Sequence, residues 1–203
     1  MGAPQKLRAE VAAYKRRRIL EEASHLFFQH GYGSTTLDMV AERLHVTKPF
    51  IYSYYRNKSE LLFEICQTGI QLSLAALDEA LSAKIGPVER LKLLVDMVAR
   101  LVIENQEYIV VYQREEKNLQ PEDARAIRVM RKDFDHRVAE LLLEGKRAGV
   151  FEVEDASLTA SSINGMITWL SIWYVPGGRL SVSEIVSHSI KLVLKMVAPT
   201  HRG

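Results

Sequence analysis

Residues 34–63, STTLDMVAERLHVTKPFIYSYYRNKSELLF, decide how the rest of the chain is understood. Leu37, Val40, Ala41 and Leu44 recur at helical spacing and give about two turns of helix with one apolar face. Ser34, Thr35 and Thr36 supply N-cap candidates, and Asp38 stands three residues after Thr35 as an acidic variant of the capping box. His45-Val46 is the turn. Thr47 caps a second short helix, in which Pro49 is tolerated because the N–H it lacks has no partner in a first turn. Ile51 and Tyr55 share one face at i, i+4 and are expected to bury against Leu37, Val40 and Leu44. Pro49 and Ser53 fall on the opposite face, flanked by Phe50 and Tyr52. A small outer face edged with aromatics is costly in water and makes sense inside a DNA major groove. The alternative is an ordinary helical hairpin whose aromatics pack on another helix. Arg56 and Lys58, immediately downstream, favour DNA.

Working outward, Lys15-Arg16-Arg17-Arg18 leads into Ile19, Ala23, Leu26 and Phe27, one apolar stripe. The cationic cluster reads as a phosphate contact, and Gly31 ends this helix as a left-handed cap would. Residues 1–14 are expected to form a loose arm or a frayed helix start. On the other side, Asn57 with Glu60 is a further N-cap signal. A long amphipathic helix then runs from Leu61 through Ile65, Cys66 and Ile70 to Leu81, and Gly86-Pro87 ends that connection. Further helices are predicted over 88–104, 106–119, 122–148, 156–174 and 182–197. Asp155 caps the fourth of these, and Ser181 with Glu184 is a full capping box for the last. The last helix carries more apolar surface than a surface helix needs. The fold predicted is all-α: residues 1–58 form an arm and a helix-turn-helix DNA-binding domain, and 59–203 a ligand-binding and dimerisation domain.

Composition narrows the function. Residues 1–58 hold ten Lys or Arg against five Asp or Glu, while the rest of the chain holds seventeen against twenty, so a basic end sits on a mildly acidic body. Only the N-terminal part should meet a polyanion. The single Cys66 excludes an internal disulfide and fits a reducing compartment. No apolar run reaches the length of a membrane span. The N-terminus lacks the apolar core of a signal peptide and has Lys6 where a myristoylation signal needs Ser or Thr. A cytoplasmic protein with no membrane partner is expected. Glu22-His25, Glu42-His45 and Asp133-His136 have the i, i+3 spacing of di-metal helical bundles. His45, however, falls in the turn, and Glu22 in a helix of only about four turns. No catalytic triad order, phosphate loop or Cys cluster appears. No catalytic residue, metal or cofactor is expected, and an enzyme is the remote alternative.

The same stretch resembles the TetR family of bacterial repressors. The resemblance rests on Thr35-Thr36, Val40-Ala41, Val46-Thr47-Lys48, Ile51-Tyr52, Tyr54-Tyr55 and Lys58-Ser59-Glu60-Leu61-Leu62. Pro49 stands where small residues are common in the family, and Tyr55 where Phe is usual. The resemblance implies nine helices, a three-helix head and a six-helix body, and a homodimer joined through the last two helices. It makes Thr36, Tyr52, Tyr54 and Lys58 phosphate-contacting positions and puts Lys48, Pro49 and Phe50 at base edges. Thr47 and Ser53 complete the set expected to meet double-stranded DNA.

In the body, Gly165-Met166, Trp169, Trp173-Tyr174, Pro176 and Gly178 resemble family members that answer to acyl-CoA thioesters. Those members often carry a basic residue before the Trp-Tyr pair, where this chain has Ile172. Tyr108, Tyr112, Met130, Phe134, Trp169 and Trp173 are candidate lining residues of an apolar effector cavity. Arg100, Arg114, Arg128 and Arg131 are candidate partners for an anionic group. The function expected is a dimeric repressor released from a palindromic operator by a small apolar or acyl-CoA-type effector. A ligand-independent DNA-binding or architectural protein is the alternative, although a body of about 140 residues exceeds what dimerisation requires.

Overall fold

The computed structural model describes residues 3–199, and among them the chain is helical with no strand. The head comprises α1 (Ala3–Ser34), α2 (Leu37–Arg43) and α3 (Lys48–Tyr52). The body comprises α4 (Lys58–Ser82), α5 (Pro87–Glu104), α6 (Gln106–Glu115), α7 (Pro121–Arg147), α8 (Ala156–Thr168), α9 (Leu170–Trp173) and α10 (Val182–Val197). α8 and α9 are separated by Trp169 alone, whose φ and ψ stay right-handed helical. Counted as one bent helix they give the nine expected, here among the described residues.

Three expectations change. The segment foreseen as a loose arm or a frayed helix start is helical from Ala3, continuous with the head's first helix, because residues 5–18 contain no helix breaker. Glu22 therefore sits on a helix longer than four turns. The N-cap of α2 is Thr36 and not Thr35. The Thr36 hydroxyl accepts from Met39 N–H at 3.2 Å, while Thr35 is fully buried and its hydroxyl lies within bonding reach of the Gly31 and Leu26 carbonyls. Finally, the helix predicted over 106–119 stops at Glu115 and tightens into a 3-10 turn at Glu116–Asn118.

Two helix ends share one device. At the end of α7, Gly149 has φ +70°, its N–H donates to Lys146 O and Val150 N–H donates to Gly145 O, both at 3.0 Å. At the end of α2 the same pair of bonds runs from His45 N–H to Glu42 O and from Val46 N–H to Ala41 O. Here the left-handed position is held by His45, with φ +54°. This crossed pair satisfies carbonyls that a helix end leaves open, and it turns the chain sharply from α2 into α3. Gly145 is required for a different reason. A Cβ there would stand 1.9 Å from the Phe151 ring, which packs closely on α7 at that point.

Two apolar cores result. The body core joins α4, α5, α7, α8 and α10 through residues such as Leu91, Val98, Phe134, Leu142 and Val193. The head core joins Ile19, Phe27, Val40, Ile51 and Tyr55, and it does not stop at residue 58. Leu61, Leu62, Ile65 and Cys66 of α4, Val111 of α6 and Ile127 of α7 belong to it. Three further caps are as read from the sequence. Asn57 Oδ1 accepts from Glu60 N–H at 2.9 Å, Asp155 Oδ1 from Leu158 N–H at 2.9 Å, and Ser181 and Glu184 form the full box.

Candidate functional site

The reading helix α3 presents the surface its periodicity predicts. Ile51 and Tyr55 are fully buried, while Thr47, Lys48, Pro49, Tyr52 and Ser53 are exposed and Phe50 and Tyr54 half-buried. These residues differ in how free they are. Thr47 occupies the cap position without making a side-chain cap bond. Pro49 and Tyr52 project outward, and Tyr52 is half exposed. By contrast, Lys48 Nζ donates to Asp38 Oδ2 of α2 at 2.5 Å, a bond that raises the ammonium's pKa. Ser53 bonds back to the Phe50 carbonyl at 2.7 Å. The Phe50 ring packs against Tyr54, centroids 5.3 Å apart, with Lys15 Nζ 5.6 Å from it. Phe50 is thus partly a structural residue of the head.

Arg16 is also committed. Its guanidinium pairs with Glu64 of α4, Nε donating at 3.0 Å, and lies 4.5 Å above the Tyr55 ring. That ties α1 to the start of α4 and removes Arg16 from the set of free phosphate contacts. Arg17 and Arg18 lie against Glu21 on exposed surface. The Glu-His pairs have other partners. Glu22 pairs with Arg43, and His25 Nδ1 lies 2.8 Å from Glu107 of α6. Among the described residues no cluster of His, Cys, Asp or Glu has the arrangement of a metal site.

Lys58 is placed differently from a freely projecting phosphate ligand. Its Nζ donates to the Tyr32 carbonyl at 2.6 Å and sits 4.2 Å from the Tyr32 ring. The Tyr32 N–H in turn donates to Glu115 Oε1 of α6 at 3.2 Å, and its hydroxyl lies 3.3 Å from Ser59 Oγ. One residue near the α1–α2 junction is therefore held by the start of α4 through its carbonyl and by the end of α6 through its N–H. Asn118 Nδ2 donates to the other oxygen of Glu115 at 2.7 Å and orients it. Nothing in the sequence singles out Glu115, because a carboxylate inside a charged run reads as solvated.

A cavity of about 240 Å³ opens in the body between α4, α5, α6, α7 and α8. Of the candidate lining residues, Tyr108, Tyr112, Phe134 and Arg131 line it. Met130, Trp169, Trp173 and Arg100 do not. Met130 is turned toward Gln67, and Arg100 pairs with Asp96 one turn earlier on α5. Cys66, Gly69, Ile70, Val98, Val102, Ile109 and Ile127 supply most of the apolar wall, together with Asn164 and Thr168 from α8. Helical spacing marks such residues as core and gives no sign that space is left between them. The cavity's polar lining comprises Ser73, Gln113, Glu116 and Arg131 besides Asn164 and Thr168, and Arg131 Nη1 donates to the Tyr112 hydroxyl at 2.8 Å. Burial pushes the Cys66 thiol up to about 12, so it is an inert wall residue.

Trp169 and Trp173 instead stand on the outer face, 58% and 47% exposed, along a groove between α8, α9 and α10 that also contains His188 and Leu192. Ile172, Val175 and Met196 are exposed nearby. Large apolar side chains gathered on one face at this density mark a contact surface.

No described helix is long and apolar enough to cross a membrane. Residues 19–65 match the family described as bacterial regulatory proteins, tetR family, and residues 84–197 match the tetracyclin repressor-like C-terminal domain. The chain is similar to the transcriptional repressor KstR2 of Mycolicibacterium smegmatis, 24% identical over 185 residues that cover 90% of each protein. Its fold is similar to that of the regulator PfmR from Thermus thermophilus, with a TM-score of 0.81, 29% identity and coverage of 88% of this chain and 97% of that one. It is also similar to AibR solved in complex with isovaleryl coenzyme A and operator DNA, with a TM-score of 0.77, 27% identity and coverage of 87% and 96%. These relatives are transcriptional regulators and not enzymes.

Proposed function

The chain belongs to the TetR family of DNA-binding bacterial regulators, and from that premise we propose that it is a dimeric repressor released from a pseudo-palindromic operator by a small acyl-CoA-type effector. The observation that carries this reading is the outer face of α3, exposed at Thr47, Lys48, Pro49 and Tyr52 over a buried Ile51 and Tyr55. In this reading residues 1–58 serve DNA binding and 59–203 effector binding and dimerisation. Tyr52 and Pro49 meet the groove, and Thr36, Thr47, Tyr54 and Lys58 meet phosphates together with Arg17 and Arg18. Lys48 reaches DNA once Asp38 yields it, while Phe50 and Ser53 shape the helix that the others project from. The apolar face around Trp169, Trp173 and Leu192 seats a second copy, which sets the half-site spacing.

The effector reading rests on the mixture of a largely apolar wall with a few polar groups, Arg131, Glu116, Gln113 and Ser73 among them, which suits an apolar body bearing a polar head. AibR, bound to isovaleryl coenzyme A, is a relative with that kind of ligand. Release follows from α6, which lines the cavity with Tyr108, Ile109, Tyr112 and Gln113 and holds Tyr32 through Glu115.

The test is fluorescence anisotropy with duplex DNA from upstream of the protein's own gene, with and without isovaleryl-CoA. Tight, salt-sensitive binding that the thioester weakens is expected. Equal affinity for random duplex would remove the repressor reading.

A further inference from the structure

A second, much smaller cavity of about 10 Å³ lies in the body between α5, α7 and α8. It is lined by apolar side chains apart from Asn164. Three residues line both cavities: Val98 of α5, Phe134 of α7 and Asn164 of α8. The helical register shows how the two spaces are related. On α5 the larger cavity is lined by Val98 and Val102 and the smaller by Leu94, Val95 and Val98. On α7 the larger has Ile127, Arg131 and Phe134, and the smaller Phe134 and Val138. On α8 the larger takes Asn164 and Thr168, and the smaller takes Asn164 and Ile167 and continues through Ile163 to Ala160. On α5 and α7 the small space lies about one turn farther along than the large one, and on α8 it overlaps the large one and reaches one turn beyond Asn164.

We infer that the two are one tunnel closed by a collar of Val98, Phe134 and Asn164, and that this collar limits the length of the effector's apolar part. The inference rests on the effector reading above and narrows it to a class: a short or branched apolar acyl group carried on a polar head. Arg131 and Phe134 are three residues apart on α7, so a head group at the guanidinium leaves about 5 Å of helix before the collar. Beyond it the space holds no more than about one water-sized group. The collar makes no polar demand on what touches it. Asn164 donates its Nδ2 to Asp135 at 3.0 Å and accepts from Thr168 at 3.2 Å, so both ends of its carboxamide are already engaged. Val98 and Phe134 are buried and apolar. A short chain therefore fills the available space, and a long one is stopped by the Phe134 ring.

The experiment measures affinity by calorimetry for butyryl-, isovaleryl-, octanoyl- and decanoyl-CoA and for the matching free acids, using the full chain and its Phe134→Ala variant. The acids distinguish recognition of the acyl group alone from recognition of the thioester. Because Phe134 belongs to the body core, Val98→Ala, which opens the collar from the facing helix, is measured beside it. The wild type should prefer butyryl and isovaleryl groups. The variants should shift toward octanoyl, by roughly tenfold in relative affinity for the ring removal. Identical chain-length profiles in wild type and both variants, or wild-type binding of decanoyl as tight as isovaleryl, would overturn the collar while leaving an acyl effector in place. No binding of any thioester or acid by any of the three proteins would overturn the effector reading itself, and the collar with it.

Discussion

His45 occupies the turn of the reader with φ +54°, a conformation that costs a residue with a Cβ about 1–2 kcal/mol. The same crossed pair of bonds is made at the end of α7 by Gly149 without that cost. His45→Gly should therefore raise the stability of the whole chain by about 1 kcal/mol, seen as a higher urea midpoint at unchanged slope. A midpoint that stays or falls would mean that the imidazole makes a compensating interaction. Lys48 offers the opposite case, a residue whose charge is exposed but already engaged by Asp38. Asp38→Asn frees the ammonium and removes a negative charge beside the reading helix. Affinity for operator DNA should rise several-fold and the salt slope steepen by about one. Unchanged affinity would show that Lys48 has no part in the contact.

At the scale of elements, α6 ties together more of the molecule than its length suggests. Its first residue, Gln106, donates through Nε2 to the carbonyls of Ser171 and Tyr174 at 2.7 and 3.0 Å, which fastens α9 beside the exposed tryptophans. Its middle lines the cavity, its last residue holds Tyr32, and His25–Glu107 ties it to α1. A ten-residue helix thus holds α9 at one end and Tyr32 of α1 at the other. Glu115→Ala removes the bond to Tyr32 without disturbing either apolar core. Operator affinity of the effector-free protein should change little, while the loss of affinity caused by the effector should shrink by about 1 kcal/mol. Release as complete as in the wild type, measured by the same anisotropy titration, would show that the signal bypasses this bond.

The elements also show where sequence reasoning works. The caps at Asn57, Asp155 and Ser181, and the burial of Ile51 and Tyr55, follow from spacing of a few residues, which the sequence displays directly. Thr35 and Thr36 are both competent caps, and only packing decides that Thr35 turns inward to the Leu26 and Gly31 carbonyls. Arg16 reads as one of four interchangeable cations, yet Glu64, far along the chain on α4, claims it. The tryptophans read as cavity residues because an aromatic at helical spacing looks buried from either side of a helix. The structure turns them outward, since Ile163, Ile167 and Leu170 already fill the inner face.

For the whole molecule, the outward groove makes the oligomeric state the deciding property. If a second copy covers it, Trp173→Asp should produce monomers in sedimentation velocity. It should also weaken operator binding far more than half-site binding, because a dimer joins two modest contacts into one strong one. A variant that remains dimeric would place the self-contact elsewhere on the surface.

Tyr32 is gripped from both sides, by Lys58 through its carbonyl and by Glu115 through its N–H. Lys58 cannot give its full charge to a phosphate and keep that carbonyl bond unchanged. Any factor by which the effector lowers affinity for the operator must then equal the factor by which the operator lowers affinity for the effector. In the proposed reading an operator-bound copy is consequently a poorer sensor than a free one, so adding operator duplex to the purified protein should raise the effector concentration that half-saturates it.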